Sequence, residues 1–546
     1  MLTARLGLAA AALASVAMAA VASVASATGF APHAYYLPAA PKVTATCLLT
    51  ERCDGTVSWP APEGTLAGGS YSPLDQINTR NVARLHVAWT FKQTLAGGIE
   101  DYPVVIGGTA YLEGPDSSVY AVSANDGNEL WNYVPLTGAY ATAYGAESRG
   151  VAVGDGRVFL LTKDDHLIAL EQKGGLVKWN VQVASAKAGY SESTPPLYVD
   201  GLVFVGSAGG DSAVRGFEEA RSAATGKLVW IHYNTPGTGK GWVTSGAVGG
   251  GAVWMNPTVG PDGLLYFATG NPSPDLYGAG RPGANLWTDS IVAVNLHTGR
   301  QVWGYQMIAH DLWDYDSASP PVVFHTARGW IVGEADKGGY WDEVNALTGK
   351  PLTAPVAFVT ENHIQPPPHG QYVLNWPGPL GGSEYSPVSY DPRTGDAYIQ
   401  GNNIPAYETA APVKAHVPGG LALGTAVKVN RGGVHTGTFT AVDVRTGTIA
   451  WQDTTPAPTT GGLITTAGGV AFGAVDNGTF EALDAATGKV LWSTTLPGSV
   501  GDAPVVYEDH GIEYLLIAVG GSMQFQYSKH PYQAEWIAYV LPRSLR

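Results

Sequence analysis

Cysteine is almost absent from this sequence: the chain of 546 residues has only Cys47 and Cys53. Their closeness leaves two readings, a local disulfide in an oxidising compartment or two unpaired thiols in a loop. No CxxCH motif occurs, which excludes a fused c-type haem domain. Charge is also scarce, at 14% of residues, and its balance is acidic, with a net charge of -15. An acidic surface repels phosphate backbones, so nucleic-acid binding is excluded as a function, while a basic protein partner remains compatible. Beyond the N-terminus there is no apolar run long enough to span a bilayer. Nor does any long stretch there show helical apolar spacing.

Gly (71), Pro (37), Tyr (27) and Trp (16) are plentiful instead. Gly and Pro supply turns and aromatics favour strands, so the composition describes one large, repetitive all-β body. Arg5 precedes an apolar run from Leu6 to Ala27 that ends in Ala25-Ser26-Ala27, a small-x-small cleavage pattern. This predicts an export signal over 1–27, and hence a periplasmic or secreted protein. An uncleaved anchor is the other reading of the same run. An N-terminal extension over 28–65 and one large domain over 66–546 complete the expected organisation.

A short phrase recurs along that domain. It runs Ala124 to Trp131, Gln172 to Trp179, Ala224 to Trp230 and His297 to Trp303. A copy without Trp lies at Ala346 to Lys350, and two late copies end at Trp451 and Trp492. Each follows an alternating apolar run, such as Val158-Phe159-Leu160-Leu161. The Thr-Gly step reads as a tight turn, with Gly at the positive-φ position. A four-stranded unit of this kind cannot bury both faces alone, so the units pack side by side and close into a ring. Seven copies are visible. Val87-Ala88-Trp89 and Trp536-Ile537-Ala538-Tyr539 supply an eighth from the two chain ends. The expectation is an eight-bladed β-propeller in which the recurrent tryptophans dock one blade on the next. A stacked β-solenoid fits less well, because the spacing between copies varies.

A propeller hosts many functions, so function must come from residues that break the repeat. The richest region runs from Gly249 to Asp316. It holds Gly249-Gly250-Gly251-Ala252-Val253-Trp254, Thr269-Gly270-Asn271-Pro272-Ser273-Pro274 and His310-Asp311-Leu312-Trp313-Asp314-Tyr315-Asp316. With Tyr71 to Asn78, Ser148-Arg149-Gly150, Val214-Arg215-Gly216-Phe217 and Ala335-Asp336-Lys337-Gly338-Gly339, these phrases span nearly all of the mature chain. The sequence resembles the pyrroloquinoline-quinone-dependent alcohol dehydrogenases.

That resemblance implies a hard cation beneath the quinone, held by Asp211, Asn271 and Asp314, with Asp314 also the catalytic base. Oxygen ligands suit calcium or a lanthanide. The family pattern has Glu where Asp211 stands, one methylene longer. In the family, a second Asp two residues after the base marks lanthanide users, which here makes Asp316 a further ligand. A trivalent ion also gains more from an added carboxylate than a divalent one does. The other reading of Asp316 is a solvated loop carboxylate. The resemblance further places Trp254 on a face of the quinone, and Glu100, Arg149, Ser193, Lys337 and Asn402 around its rim. Cationic groups there would stabilise the density that reduction puts on the quinone oxygens. Two positions depart from the pattern: Ala143-Tyr144 replaces an adjacent cysteine pair, and Thr459-Thr460-Gly461-Gly462 replaces a Trp.

Two functional classes follow. The first is an enzyme that oxidises a small alcohol, or a sugar or polymer on the same fold, and passes electrons to a separate acceptor such as a soluble cytochrome c. The second is an exported propeller scaffold that has lost the cofactor. A scaffold needs no buried polar groups at these positions, and burying them unpaired is costly. Pro366-Pro367-Pro368-His369 and the segment from Pro405 to Gly420 are expected to shape the substrate mouth.

Overall fold

The Thr-Gly turns fold the chain back on itself with a constant register. Trp131 faces Ala121 across the strand pair, and the same Ala–Trp pairing recurs as Ala169–Trp179, Ala220–Trp230, Ala293–Trp303, Ala441–Trp451 and Ala482–Trp492. A small residue opposite each indole leaves it room, and the register shifts by a bulge next to each pair. This computed structural model describes residues 47, 50–53, 55–93, 95, 97–137, 149–191, 193–236, 249–260, 263–362, 364–413, 416–429, 433, 435–521 and 534–546. The export signal predicted over 1–27 and the Ala143-Tyr144 pair lie outside them.

The described residues are almost entirely strands joined by turns, with single 3-10 turns between them. Eight sheets have four or five strands each, and none closes on itself. Their pairs are antiparallel, except that Tyr71–Ser72 lies parallel on Ile464–Thr466. One sheet joins both ends of the domain: His86–Lys92 pairs with Glu535–Val540, and Trp89 faces Ala538. Cys47 and Cys53 form a disulfide with Cα atoms 4.7 Å apart, which settles that pair as bonded.

Alternate residues of a strand point to opposite faces, and here each face meets a different core. On Arg157–Thr162, Val158 and Leu160 enter one buried cluster while Phe159 and Leu161 enter another. Leu264–Thr269 divides in the same way. Each sheet is thus packed on both faces, and burying one such side chain stabilises by about 1.5–3 kcal/mol.

The tryptophans link successive sheets. The indole N–H of Trp89 donates to the carbonyl of Ala124 at 3.0 Å, Trp131 to Gln172 at 3.0 Å, and Trp179 to Ala223 at 3.1 Å. Trp230 donates to Leu296, Trp303 to Ala346 and Trp451 to Ala485, at 2.8–2.9 Å. Each ring covers the turn glycine of the next sheet. Gly299 has φ +65°, and a Cβ there would lie 2.5 Å from the Trp230 ring. The copy that lacks Trp shows why it tolerates the loss: Thr353 stands against Gly447 where the other copies place an indole.

Two insertions interrupt this regularity. Gly249–Gly250 pairs with Pro272–Ser273, and Val373–Asn375 pairs with Ala406–Ala410, which in turn pairs with Thr425–Val429. Both bring repeat-breaking segments to the candidate site.

Candidate active site

The segment carrying Trp254 and the segment carrying Asn271 are bound together through their backbones. Gly251 N–H donates to Asn271 O at 2.9 Å, and Gly270 N–H donates to Ala252 O at 2.8 Å. Gly270 is required here by close approach: a Cβ would overlap the Asp316 carboxylate and come within 3.4 Å of the Trp254 indole nitrogen. Asp316 is 5% exposed, so it is no solvated loop carboxylate. Its Oδ1 accepts the Asn271 backbone N–H at 2.6 Å, and its Oδ2 accepts from Lys337 Nζ at 2.8 Å.

Lys337 is the cationic hub. It is buried, its Nζ lies 3.3 Å from Asp314 Oδ1 and 3.8 Å from Glu384 Oε2, and its backbone N–H donates to Asp316 O at 3.0 Å. Burial alone would lower its pKa, but Asp314, Asp316 and Glu384 outweigh burial and hold it well above the usual lysine value. Asp314 and Asp316, two residues apart, therefore share one ammonium.

Asp314 sits at φ +63°, in the left-handed region, and keeps 22% of its side chain exposed. Asp311 holds the turn that presents it. Its two carboxylate oxygens accept the N–H groups of Trp313 (2.9 Å) and Tyr315 (3.0 Å). Burial pushes Asp311 up to about 6, against the pull of those two N–H donors. The Asp314 carboxyl is raised well above the usual range by burial; Lys337 opposes this, and Asp316, Asp211 and Asp275 add to it. Asp211 lies on the 3-10 turn Gly210–Ser212 and is half-buried.

The expected rim residues fall into three groups. Glu100 and Arg149 form a buried ion pair at 2.7 Å, and the Arg149 guanidinium lies 5.0 Å from the Trp254 ring centroid and 4.6 Å from that of Tyr385. Asn402 is buried, and its Oδ1 accepts Thr459 N–H at 2.7 Å, while its Nδ2 has no partner. The Thr459–Gly462 segment, which stands where the family pattern has a Trp, thus fixes the orientation of this amide. Ser193 is half-buried and joins none of these hydrogen bonds; its neighbour Thr194 is the residue tied to the Trp254 segment, donating to Val253 O at 2.8 Å.

Of the loops expected at the mouth, the segment from Pro405 to Gly420 reaches these segments through His416, while Gln365 and Ala422 make their bonds just outside the expected bounds. Trp313 Nε1 donates to Gln365 O at 3.0 Å; His416 Nε2 lies 3.0 Å from Ser212 O, and Ala422 N–H donates to Asp211 O at 2.6 Å. Sequence reading missed Asp275, Glu384 and Tyr385. Asp275 had a signal, since it follows Asn271 by four residues in a segment outside the repeat; Glu384 and Tyr385 had none.

The donor set fits a hard cation in kind, because every candidate ligand offers oxygen. Among the described residues, no three His, Cys, Asp or Glu side chains stand in coordination geometry about one point. In the protein alone, the single Lys337 ammonium bridges Asp314 and Asp316. The set also fits a planar quinone: the unpartnered Asn402 Nδ2, the Lys337 ammonium and the Arg149 guanidinium are donors to acceptor oxygens, beside the Trp254 ring.

This all-β body thus brings buried carboxylates, an amide and an ammonium together beside an indole. A family model described as the glucose/ethanol/alcohol dehydrogenase β-propeller domain matches residues 59–358, and one described as outer membrane protein assembly factor BamB matches 435–525. The quinohemoprotein alcohol dehydrogenase ADH-IIG of Pseudomonas putida is 30% identical over 520 residues, covering 85% of this chain and 72% of that protein. The crystal structure of quinohemoprotein alcohol dehydrogenase from Comamonas testosteroni superposes with a TM-score of 0.84 at 27% identity, over 91% of this chain and 82% of that one. A europium-containing methanol dehydrogenase gives 0.80 at 25% identity, over 89% of this chain and 98% of that one. The chain belongs to the pyrroloquinoline-quinone-dependent alcohol dehydrogenase family.

Proposed function

We propose that this protein is exported to the periplasm or beyond and there oxidises the CH–OH group of a small alcohol to a carbonyl, using pyrroloquinoline quinone and a lanthanide(III) ion. The observation that carries this reading is the Asp314–Lys337–Asp316 bridge next to Asn271 and Trp254. The second carboxylate favours a trivalent ion over calcium, and the likeness to a europium-containing methanol dehydrogenase supports that choice. The fold part of the proposal is that the eight four- and five-stranded sheets are blades of one ring. The sheet-to-sheet tryptophan bonds support it, as does the sheet built from both chain ends.

In this reading Asp211, Asn271, Asp314 and Asp316 hold the ion. When bound, the quinone supplies the hydride acceptor and the ion polarises it as a Lewis acid. Asp314 takes the proton of the substrate hydroxyl at its partly exposed carboxylate, a general-base role. The Lys337 ammonium and Asn402 Nδ2 would offer donors that stabilise negative charge on the quinone oxygens. Arg149, fixed by Glu100, and Trp254 would orient the ring. Electrons then pass to a separate acceptor, for which a basic soluble cytochrome c suits the chain's net charge of -15.

The test is a titration of the mature protein with quinone plus calcium, then quinone plus lanthanum, followed by quinone absorbance and dye-linked oxidation of an alcohol panel. Activity is expected with lanthanum. Activity with calcium alone would reject the role of Asp316, and absence of quinone binding with either ion would reject the enzyme.

A further inference from the structure

We propose that Asp275 is a specificity-determining carboxylate of this site, which biases it towards a trivalent over a divalent cation. The inference rests on the cation reading above and adds a residue to it.

Asp275 is fully buried, and neither of its carboxylate oxygens has a hydrogen-bond partner. No nearby cation bonds to it directly, although the Arg281 charge acts on it through space. Arg281 spends its donors on Pro274 O (3.0 Å), Asn285 Oδ1 (2.7 Å), the Asp275 backbone O (2.8 Å) and Asp311 O (2.6 Å), and none reaches the Asp275 carboxylate. Lys337 is taken by Asp314, Asp316 and Glu384.

The backbone places Asp275 beside the candidate ligands. It shares a segment with Asn271, four residues away. Leu276 N–H donates to Leu423 O at 3.0 Å, while the preceding Ala422 N–H donates to Asp211 O, so consecutive residues of one strap tie the Asp275 and Asp211 loops together. Asp211 and Asp316 are also the two carboxylates whose charge acts most strongly on Asp275.

A buried carboxylate without a partner is costly. Asp211, Asp316 and Asp311 act on it against the single guanidinium of Arg281, and Asp314, which Asp275 also acts on, shares one ammonium with Asp316. A cation entering this set removes the imbalance, and the benefit scales with its charge. Asp275 acts on the ion through its field, so its contribution separates a trivalent from a divalent ion without requiring a direct bond.

The test titrates the purified full-length protein with terbium(III), read by tryptophan-sensitised luminescence, and with calcium by competition. Asp275→Asn is expected to weaken terbium binding by about tenfold or more and calcium binding clearly less, so that the ratio of affinities falls. Asp275→Ser should do the same. The metal-free melting temperature of Asp275→Asn should rise, because the repulsion of Asp275 by Asp211 and Asp316 is removed. An unchanged affinity ratio in both variants, or a lower metal-free melting temperature, would assign a merely structural role and overturn the inference. Asp316→Asn, titrated in parallel, separates the two readings. If it leaves terbium binding intact, no ion sits among these carboxylates and both readings fall. If it weakens binding while the Asp275 variants keep the ratio, only the Asp275 inference falls.

Discussion

Gly299 and Gly270 each lie close to an indole, yet their surroundings differ in kind. The Trp230 ring covers Gly299, its N–H ends on a backbone carbonyl, and the side chains around it are apolar. Gly270 lies between the Trp254 nitrogen and the Asp316 carboxylate, and the groups beyond it are charged. The first contact recurs from sheet to sheet and seals apolar faces. The second allows a carboxylate, an amide and an ammonium to meet. The same local device, a missing Cβ, serves cohesion in one place and chemistry in the other. Substitutions at the two places should therefore separate stability from turnover.

The largest effect should come from Asp314→Asn, which keeps the side-chain shape and removes the base. Turnover is expected to fall by roughly 10²–10⁴-fold, with the circular dichroism spectrum unchanged; turnover close to wild type would remove Asp314 from the reaction. Gly270→Ala should come next on the side of chemistry. Its Cβ displaces Asp316 from Asn271, and kcat/KM is expected to drop at least about tenfold, since small displacements at such a site are costly. The melting temperature should change little.

Gly299→Ala should behave in the opposite way. A positive φ and contact with Trp230 make alanine strained there, at a cost of about 2 kcal/mol. Activity per folded molecule should persist. If Gly299→Ala lowered turnover and Gly270→Ala lowered only stability, the comparison would be broken. Trp303→Phe sharpens it further: Ala346 O loses the 2.8 Å indole bond but keeps the Tyr266 hydroxyl at 3.2 Å, so the cost in thermal unfolding is expected to be about 0.5–1.5 kcal/mol.

The smallest effect concerns carboxyl groups away from the site. Burial pushes Glu63 up to about 8, against a hydrogen bond from Asn256. In the unfolded chain the same group titrates near 4.3. Between those values the folded protein binds more protons than the unfolded chain, so stability falls as pH rises through that window. Asp101 and Glu513, also pushed to about 8, act in the same direction. The metal-free melting temperature should be lower at pH 8 than at pH 5.5, and Glu63→Gln should flatten that slope slightly. A melting temperature that rose with pH would contradict this.

Much of the architecture was legible in advance. The recurrent Thr-Gly turn and its Trp mark strand pairs because both lie within a few residues of each other in sequence. The pairing of the two chain ends was readable from the partial repeats at Val87–Trp89 and Trp536–Tyr539. Trp254, Asn271, Asp314, Asp316 and Lys337 could be picked out because they interrupt the repeat or match a family phrase, and the structure joins them through shared hydrogen bonds. Glu384 and Tyr385 left no trace, because neither belongs to a motif. Ser193 was chosen by proximity, whereas its neighbour Thr194 makes the bond to the Trp254 segment.

Sequence alone therefore determined the all-β body, its sheet-forming unit and most of the chemistry-bearing residues. The body and its unit follow from local rules, period-two burial, turn glycines and an indole at a set distance from its turn, whereas the chemistry-bearing residues followed from the family resemblance. The tertiary structure decided which charges share a partner. Asp314 and Asp316 meet Lys337, which also faces Glu384, Arg281 bonds backbone carbonyls and Asn285 Oδ1, and the Asp275 carboxylate is left buried without a hydrogen-bond partner. No local rule could supply this, because electrostatic partnership depends on distances through space between loops far apart in the chain, and only the packing of the sheets sets those distances.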